Sequence, residues 1–517
     1  IQSDITIGHT TVDSLASIII APSGILHLSE ELVNNGLVLL QSDMSGDGVL
    51  MDTLPNASFI GSLSIERYNP GDQFHIIGSP VASLMTGLSN DLSGPTGNGL
   101  TGSDGIAVTP DLTTSLYLNS GVCDSLVVGS NYGNLFSYDE SLIQNCSFEG
   151  WVVESAGTLV PGKGYMAYLT PGGTLDLDGP PNTGSITGPS LTNSGGTTFS
   201  GAGWNLVSNP YPSFFDVEEF VAVNNGVNSP NVFVDTGLYS GTYSSILPVT
   251  GQSIVALGQG FVIRNGGDNA TSSINAIYSN AMRETSGTGF RSPASTRLKV
   301  DVIQENLRDK TEIYWAQAGH ESFYRLEDGY KFTGSTHQPQ IGSLLEDKLM
   351  AVQTLPKSED LSRIIPLVVN GIETSMYSIE VDPDFIPLDY HVFLVDNING
   401  QRYNARILPE ISFQNLGNEE RRFDIEIMKS SLNADNLDFL ENIEVYQSND
   451  QLIVAPQSAS EVTYRIEVYD ILGRHLMSKP LTAGRQVISL NTPSQLLNIR
   501  LSSGAHQHIV KTWWQVD

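Results

Sequence analysis

This chain of 517 residues contains only two cysteines, Cys123 and Cys146, and its nine histidines are scattered. Two thiols alone make a poor metal site, since structural zinc takes four ligands. No run of 18 apolar residues occurs, so no segment reads as a membrane-spanning helix. No basic-then-apolar leader stands at Ile1, so a secreted protein would have lost its signal peptide before this numbering begins. Basic side chains are scarcest in the first 290 positions. Arg67, Lys163, Arg264 and Arg283 stand there against 25 acidic residues, in a chain of net charge −31. Such a surface repels phosphate backbones and anionic bilayers, which excludes nucleic-acid binding and disfavours membranes. It suits either a well-solvated surface or a protein that meets divalent cations or high salt.

Catalytic patterns are missing as well. There is no Gly-x-Ser-x-Gly elbow between a strand and a helix, no P-loop and no dinucleotide fingerprint. His320-Glu321 lacks the second histidine of a zinc-protease helix. His506-x-His508 places two imidazoles on one strand face, as a metal site or as a solvated strand. The carboxylate pairs Asp176/Asp178, Asp382/Asp384 and Glu218/Glu219 are close in sequence, which does not supply the facing pair across a cleft that glycoside hydrolysis needs. Long stretches of period 3.6 are also hard to find.

What is present is glycine (50 residues), proline (25) and short apolar runs between turn residues. That composition predicts an all-β protein. Residues 1–67 read as β-solenoid-like rungs. Ile18-Ile19-Ile20, Ile25-Leu26-His27-Leu28, Leu37-Val38-Leu39-Leu40 and Val49-Leu50-Met51 are separated by Pro22-Ser23-Gly24, Asn34-Asn35-Gly36 and Ser45-Gly46-Asp47-Gly48. Rungs of this kind bury their faces only by stacking.

Residues 68–290 hold a phrase written twice. Phe74-His75-Ile76-Ile77-Gly78-Ser79-Pro80 is echoed by Trp204-Asn205-Leu206-Val207-Ser208-Asn209-Pro210. Gly162-Lys163-Gly164-Tyr165 is echoed by Gly258-Gln259-Gly260-Phe261. Self-similarity at this spacing predicts a duplicated β-sandwich unit, with halves near 68–175 and 190–290 and each phrase on an equivalent strand. Trp151 and Trp204 fall in alternating strands and read as core. Residues 297–428 alternate with period 2 in Leu298–Val302, Glu312–Trp315, Ser375–Val381, Tyr390–Val395 and Arg422–Ile427, the pattern of a half-buried antiparallel sandwich. A polar linker follows, and residues 442–517 alternate again as a compact Ig-like sandwich. The expected architecture is thus a short solenoid-like segment followed by several β-sandwich (jelly-roll or Ig-like) domains.

The last segment carries Ile443-Glu444-Val445-Tyr446, then Arg465-Ile466-Glu467-Val468-Tyr469-Asp470-Ile471-Leu472-Gly473-Arg474, and later Gly484–Leu490 and Leu497–Leu501. It resembles the C-terminal sorting domain of Bacteroidetes proteins exported by the type IX secretion system. Tyr446-Gln447-Ser448-Asn449 stands where that family has Tyr-Pro-Asn-Pro, and Ser494-Gln495-Leu496-Leu497 replaces its Ser-Gly-(Ile/Val)-Tyr entry. Gly203–Pro212 is similar to a Gly-Trp-Asn-Leu-Val-x-Asn-Pro-Tyr-Pro phrase of adhesin-like surface proteins in the same phylum. The resemblance implies an extracellular or outer-surface protein that meets the secretion machinery. It implies no activity, because such modules accompany many functions.

Three features are candidate sites. Cys123 and Cys146 read as one disulfide of a secreted protein, with two buried thiols as the alternative. Asp43, Asp47 and Asp52 around Ser45-Gly46-Asp47-Gly48 offer oxygens for calcium, or form an ordinary Asp-Gly turn. Trp513-Trp514 points one ring to each face of a strand, so one of them is an interface candidate. Beyond calcium no cofactor is implied. The reading is a non-enzymatic secreted adhesin or structural subunit that assembles with itself as a homo-oligomer or fibre. The alternative is a carbohydrate-binding or polysaccharide-processing protein whose partners are surface glycans.

Overall fold

The computed structural model describes residues 1–514, apart from scattered short stretches and the longer spans 83–134, 144–149, 196–201, 288–295, 333–338, 416–420, 430–442 and 457–463. The protein is all-β. Among the described residues, strand follows strand and the one α-helix is the seven-residue Val217–Val223. The chain sorts into two compact units. The first comprises Ile1–Ser358, Leu367–Ile379 and Ser412–Arg421, and the second Glu359–Pro366, Glu380–Ile411 and Arg422–Asp517.

The first unit opens with three coils of three strands each. Ile5–Ile7, Ile25–Leu28 and Val49–Asp52 stack in parallel on one side. Thr10–Val12, Glu31–Asn34 and Ser58–Ile60 do so on a second. Ser17–Ile20, Leu37–Leu40 and Leu63–Tyr68 form the third. The register puts Ile20 on Leu40 and Leu40 on Ile65, so one apolar column runs through the stack. Short apolar runs separated by turns fold this way because no single run can bury its own face. At the far end Thr174–Gly179 lies antiparallel along Leu63–Tyr68.

The repeated phrases build two four-stranded antiparallel sheets of identical order. The first copy uses Gln73–Ile77, Leu135–Tyr138, Trp151–Val153 and Tyr165–Leu169. The second uses Trp204–Ser208, Val227–Gly237, Ser240–Ser245 and Gly260–Asn265. In each, the last strand pairs between the first and the second. Ile77 pairs Tyr165 and Val207 pairs Phe261, which are equivalent positions of the echo.

The copies also interlock. Ile77 bridges to Gln259 and Val207 bridges to Lys163. Gly78 N–H donates to Gly258 O at 3.1 Å, and Ser208 N–H to Gly162 O at 2.9 Å. Reciprocal contacts of this kind are what a local two-fold relation requires. They also explain the echoed glycines. A Cβ on Gly164 would stand 2.6 Å from Val207 O, and one on Gly260 would stand 3.1 Å from Ile77 O and 2.4 Å from Ile76 Cγ2. Each glycine lets its strand cross the other copy's phrase.

The second copy adds the helix. Asp216 caps it, its side chain accepting from Glu218 N at 2.8 Å, and Phe220 and Val221 pack into a core with Phe215, Phe261 and Tyr278. Beyond it, Thr296–Gln304 and Leu307–Ala316 form a hairpin, and Leu307–Ala316 pairs in parallel with Lys348–Pro356. The alternation predicts the hairpin strands but not Lys348–Pro356, and the parallel pairing departs from the expected antiparallel pattern.

In the second unit, Tyr390–Asp396 lies between Gln401–Asn404 and Phe423–Lys429. Its side chains alternate strictly between buried and half-buried. Farther on, the three-stranded sheet of Ile443–Ser448, Gln451–Pro456 and Gln486–Ser489 shares one core with the four-stranded sheet of Tyr464–Tyr469, His475–Leu481, Gln495–Ser503 and His506–Trp514. Ile407 packs against Ile453 and Ala455.

Candidate interaction surface

The first coil is the end member of all three parallel stacks. Among the described residues, no strand pairs the outer sides of Ile5–Ile7, Thr10–Val12 and Ser17–Ile20. The other end of the stack is engaged. Leu50 N–H donates to Pro212 O at 2.9 Å, and Leu63–Tyr68 carries its antiparallel partner. An open edge offers backbone donors and acceptors to an added strand. Ile5 and Ile19, in two of these strands, are 43% and 40% exposed.

The three aspartates proposed for calcium separate. Asp43 accepts from the backbone N and Oγ of Ser45 at 2.7 and 2.6 Å and closes its own turn, and these bonds hold its carboxyl below the usual range. Asp47 is buried, takes the Ser42 hydroxyl at 2.6 Å and pairs with Arg67 at 2.6 Å. Asp52 pairs with Arg283, the two side chains being 6% and 1% exposed, and accepts from Asn280 Nδ2 at 3.0 Å. Among the described residues no three histidine, cysteine or acidic side chains gather as a metal cluster. The turn geometry and the two arginines account for where these carboxylates point.

Sequence reasoning missed what the few basic residues do. Arg283 donates to Leu50 O at 2.5 Å and to Ser213 Oγ at 3.2 Å, and lies over the Tyr211 ring, so it ties the third coil to the second repeat. Burial pulls its guanidinium down to about 9. Arg264 donates to Ala202 O at 3.0 Å and stacks on Tyr330. Lys163 pairs with Glu154 at 3.3 Å. The signal was present: four basic residues in 290 are four that the fold places internally or in ion pairs. Asp328 was also missed. It accepts from Tyr324 N at 2.7 Å and Thr354 N at 2.6 Å, and burial pushes its carboxyl up to about 6 against those hydrogen bonds.

The other carboxylates are local. Asp176 sits opposite Glu66 across the Leu63–Tyr68 pairing. Burial, then the facing Asp176, pushes Glu66 up. Burial raises Asp176 too, opposed by the Thr174 hydroxyl and helped by Asp178. Glu218 and Glu219 occupy the first helical turn, and Asp382 accepts from Asp384 N at 3.1 Å.

Trp151 and Trp204 are buried, as expected, in an aromatic cluster with Tyr138 and Phe332. Of the two candidate interface rings, Trp514 is the inward one. It is fully buried and donates from its indole nitrogen to Thr492 O at 3.0 Å, so it is core of the last segment. Adjacent strand residues face opposite sides, and the pairing of Trp514 with Gln495 turns its ring inward. Trp513 pairs with Leu496, and its side chain lies outside the described residues, as do those of His506 and His508. Cys123 and Cys146 also lie outside them. In the turn that carries the sorting-domain resemblance, buried Asp470 accepts from Arg474 N at 2.8 Å and from its Nε at 2.5 Å.

No protein-family model matches this chain, and a comparison with curated proteins finds no match.

Proposed function

We propose that this chain is a secreted, non-enzymatic protein of the cell surface, acting as an adhesin or as a structural subunit that assembles with itself. One observation carries the reading. Among the described residues, three parallel stacks of short strands, which we read as β-solenoid coils, end in an open edge, while their other end is anchored on two interlocked β repeats. That is the build of a scaffold with an assembly face. The ionisable residues support it, because Asp47, Asp52 and Asp309 are each spent on an internal partner, Arg67, Arg283 and Lys331. On this reading the two sheets of 442–517 are a divergent sorting-type sandwich that routes the chain through type IX secretion, and 297–428 is a further sandwich.

The carbohydrate-binding alternative loses its simplest platform, since Trp151, Trp204, Trp315 and Trp514 are all buried. Size-exclusion chromatography with light scattering and electron microscopy of the purified chain, with and without calcium, tests assembly. A glycan array run beside it tests the alternative. A monomer in every condition that binds a glycan would replace the first reading with the second.

A further inference from the structure

The loop between Gly319 and Gly329 is tied to two elements that lie far apart in the chain. Arg325 donates to Val221 O at 2.5 Å, and to Ala222 O and Val227 O at 3.4 Å. Val221 and Ala222 stand in the last turn of the helix Val217–Val223, where carbonyls have no partner within the helix. The guanidinium supplies that partner. Asp328 makes the second tie. One of its carboxylate oxygens accepts from Thr354 N of the strand Lys348–Pro356, and the other accepts from Tyr324 N four residues back. Asp328 N–H returns a bond to Tyr324 O at 2.8 Å, and the Thr354 hydroxyl donates to Glu327 O at 2.6 Å. One carboxylate therefore closes the loop on itself and fastens it to the strand. Between the ties the packing is light. Phe323 stacks on Tyr330 and Leu326 leans on the core of the second repeat, while His320, Glu321, Ser322 and Tyr324 are exposed. Segments with few buried apolar contacts open ahead of the rest of a fold.

We propose that this loop is a proton-controlled latch between the second repeat and the strand Lys348–Pro356, closed in acid and loosened toward neutral pH as Asp328 ionises. It goes beyond the surface function proposed above and does not depend on it. Asp328 is fully buried, and burial pushes its carboxyl up to about 6, against the two N–H bonds it accepts. Glu327 adds to that rise and His320 opposes it. The strand faces the carboxyl with the uncharged Thr354, and from the second repeat Arg264 lies 4.7 Å from the Tyr330 ring. In the opened loop the carboxyl meets water and regains its ordinary value near 3.8. The closed loop thus holds the proton more tightly. That advantage is complete below the ordinary value, shrinks as pH rises and is gone above about 6. The gap between the two values caps the change in opening at roughly a hundredfold.

Amide hydrogen exchange of the full chain, corrected for the intrinsic rate at each pH, tests the latch at Tyr324 and Thr354. Protection of both amides should fall by more than about tenfold between pH 4 and pH 7.5. Their exchange should also be nearly insensitive to low urea, because a local opening exposes little surface, whereas amides in the core strand Gly260–Asn265 should speed up. In Asp328→Asn the fall with pH should vanish, since the amide has no proton to lose, and in His320→Gln it should persist. Where Asp328→Asn does not fold, Arg325→Ala gives a second arm. It cuts the tie to the helix, so protection at Tyr324 should drop at both pH values with the fall between them retained. Protection that is flat with pH in the native protein overturns the proposal. So does a urea dependence equal to that of Gly260–Asn265, because then the whole fold opens. A fall that disappears in His320→Gln puts the proton on the imidazole and overturns it too, as does Arg325→Ala with Tyr324 unchanged.

Discussion

Asp52 and Arg283 form an ion pair that water scarcely reaches, joining the third coil to the strand Arg283–Glu284 that follows the second repeat. Removing one member strands the other charge in a low-dielectric setting, which costs roughly 3–5 kcal/mol, whereas replacing both with apolar groups costs far less. Asp52→Ala should therefore lower the urea unfolding free energy by about that amount, and Asp52→Leu with Arg283→Met should recover most of the loss. A single substitution as mild as the double one would show that the pair is solvated.

The glycine pair at the crossing of the repeats gives a matched test. Gly164→Ala and Gly260→Ala each push a methyl into the other copy's backbone or side chains. Overpacking of this sort costs about 1–3 kcal/mol. Both variants should lose stability by similar amounts in urea titrations, and a variant as stable as the native protein would show that the crossing has room for a methyl.

Stability should depend on pH through Asp328. Its folded carboxyl titrates near 6, above the ordinary carboxylate value near 3.8. The folded state therefore holds the proton more tightly. The contribution is fully present below the unfolded value and is lost as pH rises through about 6. A shift of that size corresponds to about 3 kcal/mol. Relative to Asp328→Asn, the native protein should thus be more stable at pH 4 than at pH 7.5, the gap changing by up to that amount. A pH-independent gap between the two proteins in urea would contradict the assignment.

Trp514 is expected to behave as core. Trp514→Ala should destabilise the last segment by about 3–5 kcal/mol and advance proteolysis within 442–517, without changing the size-exclusion profile at permissive temperature. A shift in assembly with unchanged stability would return Trp514 to an interface role.

The disulfide remains a direct chemical question. Intact mass with alkylation before and after reduction should give no modified thiol in the native protein and two after reduction. Two thiols alkylated natively would mean that Cys123 and Cys146 are free.

Local pattern carried much of the fold. Period-2 alternation placed Tyr390–Asp396 and Phe423–Lys429 as strands, because side-chain direction in a strand is set by its nearest neighbours. The echo placed Ile77 and Val207 on equivalent strands, because a repeated apolar run with the same glycines meets the same steric limits. The same pattern was silent on sides and partners. Nothing near Trp513-Trp514 says which ring goes inward, since a one-residue choice is settled by the core it must fill. Nothing near Asp52 names Arg283.

By itself, then, the sequence determined the strand content and the equivalent strands of the echoed phrases, which follow from spacing and turn chemistry within a few residues. Tertiary structure alone decided that the copies interlock through Lys163 and Gln259 and that Asp47 and Asp52 go to arginines. Each of these depends on groups far apart in the chain, and only the burial of a shared core brings such groups within bonding distance.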